Sequence, residues 1–328
     1  MYNMNPIHKL SSGENWVMKR DAMLLQGGEW KENMERRSFG RTDMLVSILG
    51  FGGAEIGRSD QKTVDQLLHS ALDAGLNMID TAECYGNSEE LIGNALAGRR
   101  DDYYLFTKCG HASGLEGADW DPVVLAQSID RSLQRLNVDH VDVIHLHSCS
   151  EQILRQGDVI EVLERAKRDG KTRYIGYSGD SSDALYALQT GVFDSFETSL
   201  NIADQEAIDL TLPVAIEQGL GIIAKRPVAN VAWKNESMGK EEYAYPYWVR
   251  LQELQYPFLS DVQKDVETAL RFALSVPGVA TAIVGTANPD RWAQNAGLLA
   301  NGPLNEGAYQ QIRNRWNEVA GPDWVGKV

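Results

Sequence analysis

Cysteine is scarce in this chain: Cys84, Cys109 and Cys149 are the only three in 328 residues. So few cannot make a disulfide scaffold, and a reducing cytoplasm is the expected location. Long hydrophobic runs are missing too. No apolar stretch approaches the ~20 residues of a membrane span. The first 33 residues carry Lys9, Lys19 and Arg20 but lack the apolar centre of a signal peptide. Basic residues are outnumbered, with 31 Lys and Arg against 46 Asp and Glu and a formal net charge of −15. That argues against nucleic acid or an anionic membrane as partner, since both need a basic patch. A G-x-G-x-x-G phosphate loop is also lacking: Gly50-Phe51-Gly52-Gly53 has the wrong spacing.

What is present is an alternation. Short apolar runs cover 45–51, 77–80, 103–108, 141–147, 172–178, 195–200, 221–224 and 279–284. Amphipathic helical patterns separate them at 63–74, 89–96, 122–136, 159–168, 183–190, 206–218, 261–274 and 289–299. Asp121-Pro122 and Asn288-Pro289 each read as a capping residue before proline at the first helical position. Apolar strands covered on both faces pair in parallel. Eight such units in succession predict a single (β/α)8 barrel, an α/β fold of this length. A doubly wound sheet is the rival, with fewer strands and a glycine-rich first turn. The barrel domain is expected over 34–328, after an N-terminal extension at 1–33. Residues 34–45 predict a hairpin preceding the barrel. A long connection, 226–260, follows the seventh strand. It carries Trp233, Tyr243, Tyr245, Tyr247, Trp248, Tyr256 and Phe258, too aromatic for disorder, and reads as a pocket wall.

In a parallel barrel all strand C-termini face one mouth, where active sites are built. Asp80, Lys108 and His147 end the second, third and fourth runs, and Tyr85 follows in the loop after Asp80. Tyrosine has an ordinary pKa near 10, high for acid–base work at neutral pH. A nearby ammonium lowers it by roughly 1–3 units. Lys108 is placed to supply that charge, Asp80 to hold it, and His147 to orient a carbonyl oxygen. The set suits protonation of an alkoxide as it forms, with hydride coming from a cofactor.

These residues resemble the tetrad of the aldo-keto reductase superfamily in type, order and strand placement. Asp142 and His147 reproduce its D-x4-H spacing. Arg291, Gln294 and Asn295 fall on its R-x-x-E-N signature. The resemblance spans roughly 34–300. It implies reduction of an aldehyde or ketone with Tyr85 as general acid and NADP(H) as cofactor, NAD(H) being the alternative. It further implies cofactor contacts at Gly53, Ser178, Glu197, Lys225, Arg226, Gly285, Thr286, Arg291, Gln294 and Asn295. Trp120, Trp233 and Tyr247 are implied pocket residues. Four positions depart from the family pattern: Gly179 for asparagine, Glu197 for glutamine, Lys225 for a stacking tyrosine, and Gly285 for lysine. A nicotinamide-binding sensor subunit on the same scaffold is the alternative function.

Two further expectations concern the same rim. His145 and His147 share one strand face, but six histidines in all leave too few further ligands there for a hydrolase-type metal site, so no metal is expected. Each cysteine abuts a tetrad residue; small buried filler in tight turns is the favoured reading, and the sharper alternative is that Lys108 lowers a thiol pKa and makes the site oxidation-sensitive. The short tail after Asn305 suggests an open pocket. A small-molecule carbonyl is the expected partner.

Overall fold

A computed structural model of the chain describes residues 34–259 and 262–327. The expected extension at 1–33 lies outside the described residues, as does Ser260. Ten strands follow in chain order: β1 (Arg36–Ser38), β2 (Leu45–Ser47), β3 (Leu49–Gly52), β4 (Met78–Asp80), β5 (Tyr104–Cys109), β6 (Val141–His147), β7 (Thr172–Ser178), β8 (Ser195–Ser199), β9 (Gly221–Lys225) and β10 (Val279–Gly285). The last eight close into a parallel barrel in the order β10-β3-β4-β5-β6-β7-β8-β9, with helices between. This is the predicted (β/α)8 architecture.

The first apolar run is divided. Leu45–Ser47 pairs antiparallel with β1, Arg36 opposite Ser47, while Leu49–Gly52 enters the barrel. The chain turns out of one sheet where Asn77 Oδ1 accepts from the Ser47 amide (2.6 Å) and Ser47 Oγ donates to the Leu49 carbonyl (2.9 Å). The hairpin then plugs the barrel's lower end. Phe39 is fully buried with its ring 5.3 Å from Phe106, in a cluster with Met44, Val46, Met78, Val143, Ile223 and Ile283. Gly221 must be glycine here, because a Cβ would lie 2.3 Å from the Phe39 ring.

Helix starts follow the sequence unevenly. Asp121 caps Pro122–Leu136, its carboxylate accepting from Val123 (2.8 Å) and Val124 (3.2 Å). Asn288 does not cap. Its side chain accepts from the Asp290 amide (3.0 Å) and the helix starts later, as Arg291–Leu298. The pattern at 206–218 splits into Glu206–Leu210 and Leu212–Glu217, because Pro213 has no N–H to continue the first ladder. The long connection contains the helix Tyr245–Leu254, and a further helix, Glu306–Val319, follows Asn305. Among the described residues, no helix is long and apolar enough to cross a membrane.

Candidate active site

The barrel register assembles the tetrad. Asp80 ends β4, Lys108 lies opposite His145 on β5 and β6, and His147 ends β6 opposite Ser178. Lys108 is fully buried, and its Nζ donates to Asp80 Oδ2 in a very short contact and to the Thr81 carbonyl (3.2 Å). The ammonium lies 5.4 Å from the centre of the Tyr85 ring, and the His147 ring meets that ring edge-on at 5.7 Å.

A second carboxylate enters from across the barrel. Glu197 on β8 places Oε2 3.4 Å from Lys108 Nζ, and both side chains are buried. Burial works against the ammonium, but Asp80 and Glu197 outweigh it and raise the Lys108 pKa. Burial and the Glu197 charge push Asp80 up to about 8 against the pull of Lys108. Burial opposes the Glu197 charge as well, yet Lys108, His145 and Lys225 hold that carboxyl below its ordinary value. Two carboxylates therefore share one ammonium and titrate as a unit, with Asp80 raised and Glu197 lowered.

Tyr85 departs from expectation. Lys108 does pull its pKa down, but burial outweighs that pull and Asp80 and Glu197 add to the rise, so the pKa lies above the ordinary value rather than below it. Tyr85 is a neutral phenol at pH 7. Burial, with Lys108 and Lys225 nearby, drives His147 well below its usual range, so it is a neutral imidazole.

Thiol activation, the less favoured reading of the cysteines, finds no support. Burial and the Glu83 charge push Cys84 up to about 12 despite Lys108, and burial pushes Cys109 well above its ordinary value and Cys149 up to about 12. Thiols this hard to ionise are poor targets for oxidants.

The implied cofactor positions divide into three groups. Ser178 and Glu197 are register partners on β7 and β8, and Ser178 Oγ and Glu197 Oε2 are buried without a hydrogen-bond partner among the described residues. Lys225 and Arg226 lie next along the rim, where Asp180 binds Lys225 Nζ at 3.2 Å and lies 3.8 Å from the Arg226 guanidinium. Arg291, Gln294 and Asn295 share the helix after β10, with Arg291 and Gln294 exposed and Asn295 half-buried. Gly285 and Thr286 precede that helix, Thr286 Oγ1 accepting from the Asn288 amide at 3.0 Å. Gly53 has a packing reason: a Cβ there would lie 2.6 Å from Ser88 Oγ. Gly179 has one as well, since its Cβ would lie 2.7 Å from the Tyr177 ring.

The pocket residues separate in the same way. Trp120 lies at the mouth, stacked over Gly110 with its ring 5.9 Å from His111. Trp233 is half-buried. Tyr247 is fully buried and donates to Asp204 (3.2 Å), a packing role rather than a pocket wall. Tyr256 donates to the Ile202 carbonyl (2.9 Å) and pins the loop to the barrel, while Trp248 donates to the Asn235 carbonyl (2.9 Å) within the loop itself.

Sequence reasoning missed three features. Asp180 is a buried hub that accepts from Thr198 (2.7 Å) and Ser199 (2.7 Å) as well as binding Lys225. His111 stands beside His147, ring centres 5.4 Å apart. The tail after Asn305 does not leave the mouth bare: Lys327 donates its amide to Asp204 (3.2 Å), and its carbonyl accepts from Arg226 and Ser199. The Asp180 carboxylate beside two cations was visible as an acid after β7, but its partners are distant in sequence.

The profile of the Aldo/keto reductase family matches residues 48–317. The chain belongs to the aldo/keto reductase family. It is 28% identical to L-galactose dehydrogenase of Arabidopsis thaliana over 81% of this chain and 88% of that protein. It is 27% identical to the NADH-specific methylglyoxal reductase of Escherichia coli over 81% of this chain and 94% of that protein. Among solved structures, aldo-keto reductase AKR11C1 of Bacillus halodurans superposes with a TM-score of 0.73 at 26% identity, over 89% of this chain and 99% of that one. The aldo/keto reductase is an oxidoreductase of the nicotinamide-dependent type.

Proposed function

We propose that this aldo/keto reductase converts an aldehyde or ketone to the alcohol, with Tyr85 as proton donor and NADPH as reductant. The observation that carries the reading is the buried Lys108 ammonium, enclosed by two carboxylates and set 5.4 Å from the Tyr85 ring centre, with neutral His147 edge-on. A nicotinamide cofactor, when bound, supplies the hydride. The Ser178 hydroxyl, which has no hydrogen-bond partner, and the Glu197 carboxylate, ion-paired with Lys108, suit the oxygen and amino group of a carboxamide. Lys225 and Arg226 suit phosphate oxygens, and exposed Arg291 suits the additional phosphate that separates NADPH from NADH.

Tyr85 enters the reaction protonated and gives its proton to the carbonyl oxygen as that oxygen gains charge. Lys108 stabilises the phenolate left behind, which regains a proton from water. His147 Nδ1 faces Cys84 Sγ at 3.5 Å, which leaves Nε2 as the nitrogen to hold the carbonyl oxygen. NADPH oxidation across a panel of aldehydes and ketones, with NADH in parallel, tests the reading. Turnover with a lower KM for NADPH is expected. Stoichiometric NADPH binding with no turnover on any carbonyl would reverse it in favour of a sensor.

Glu197→Gln probes the shared charge. Once both carboxylates are ionised they outnumber the one ammonium, which opposes ionisation of Tyr85. Alcohol oxidation needs that ionisation and rises with pH. In the variant one carboxylate is gone, so the rising limb of kcat for oxidation, at saturating cofactor, moves to lower pH. An unmoved limb would show that Glu197 does not act on Tyr85.

A further inference from the structure

We infer that Cys84, His111 and His147 form a binding site for a divalent cation of the zinc class, and that the ion shuts off carbonyl reduction while bound. One ligand atom from each residue lies within 4.8 Å of the other two. Cys84 Sγ and His147 Nδ1 are 3.5 Å apart. Two ligands of a tetrahedral zinc, with bonds of about 2.0–2.3 Å, stand about 3.6 Å apart. That pair is therefore already at ligating distance, and only His111 has to draw closer.

His111 sits on a braced loop. Its amide donates to Glu83 Oε1 (3.0 Å), Trp120 N donates to the Gly110 carbonyl (2.9 Å), and Asp119 Oδ1 accepts from Ala112 N (2.7 Å). The other Asp119 oxygen meets His111 Nδ1 at 3.1 Å. A carboxylate behind a ligating imidazole orients the ring and raises its basicity, and here it leaves Nε2 as the ligand. One thiolate and two imidazoles suit a borderline-soft cation over calcium or magnesium, which prefer oxygen. Three protein ligands leave a fourth position for water. Cys84 is exposed, and His111 and His147 are half-buried, so the ion enters from solvent.

Binding is a balanced exchange: the metal–sulfur bond forms as the Cys84 S–H bond breaks, and the proton leaves to buffer. Binding itself does not depend on the carbonyl-reductase reading. Its effect on turnover does, because the cation and the His111 ring drawn in to it, which stands 5.4 Å from His147, place charge and bulk beside the Tyr85–His147 pair that receives the carbonyl oxygen.

The test is a titration of chelator-stripped, reduced protein with cobalt(II) in the absence of oxygen, followed by displacement with zinc(II). One equivalent is expected, with a thiolate-to-cobalt charge-transfer band that zinc abolishes. Cys84→Ser should lose that band. Asp119→Asn should weaken affinity by about 10–100-fold. Zinc should stop NADPH-dependent carbonyl reduction, and chelator should restore it. No saturable one-to-one binding, or an unchanged band in Cys84→Ser, would overturn the site. Full turnover by zinc-loaded protein would overturn the shut-off.

Discussion

Replacing Tyr85 with phenylalanine should lower kcat for carbonyl reduction by about 10²–10⁴-fold, the range that one positioned general acid supplies. Cofactor affinity should not change, because the proposed carboxamide contacts belong to Ser178 and Glu197 and not to the Tyr85 hydroxyl. The ring also keeps its place: its contacts with Lys108 and His147 are made by the aromatic face and edge, which phenylalanine retains. Steady-state kinetics together with cofactor fluorescence titration separate the two effects. Retained turnover would remove Tyr85 from the proton transfer. A matching loss of cofactor binding would mean that the substitution disturbed the pocket instead.

Lys108→Met should be the most destabilising single change at the site. Methionine matches the length of the stem but leaves Asp80 and Glu197 buried without their nearest cation. Breaking a buried pair by removing one partner costs about 3–5 kcal/mol, which lowers Tm by about 4–7 °C for a chain of this size. The loss should depend on pH in a definite direction. Without the ammonium, burial raises both carboxyl pKa values in the folded variant, while the unfolded chain keeps them near 4. Between those values the folded form binds more protons, so acidification from pH 8 toward pH 5 should recover part of the stability. Thermal melts at several pH values check this. A Tm deficit that does not shrink toward pH 5 would mean that the cluster is not held together by this charge. Activity should be lost as well, since the phenolate left on Tyr85 loses its counter-charge.

The tetrad was legible because a parallel barrel aligns strand ends by construction. Asp80, Lys108 and His147 each close an apolar run, and consecutive runs become neighbours. β6 and β7 were readable to the residue because turn residues bound them, Asp139-His140 and Ser148 around one and Asp169-Gly170-Lys171 and Gly179-Asp180 around the other. The link from Lys108 to Glu197 was not legible. It crosses the barrel interior from β5 to β8, and only closure brings those strands face to face. The Tyr85 pKa was misjudged for a related reason: the attraction of one ammonium can be inferred from sequence, but the burial that outweighs it cannot. Tyr247 reads as a pocket aromatic in a long loop, yet a helix that no strong pattern announced turns it inward to Asp204. The split of the first run at Ser47 rests on Asn77, which lies 30 residues away.

Label transfer tests the central claim most directly. With NADPH carrying deuterium at the transferring position of its reduced ring, a turned-over aldehyde should gain one deuterium at the carbinol carbon per NADPH consumed, and its hydroxyl proton should come from solvent. Tyr85→Phe should slow that transfer without changing where the label appears. NADPH consumption that leaves no deuterium in the alcohol, or label transfer as fast in Tyr85→Phe as in the wild-type chain, would contradict the account.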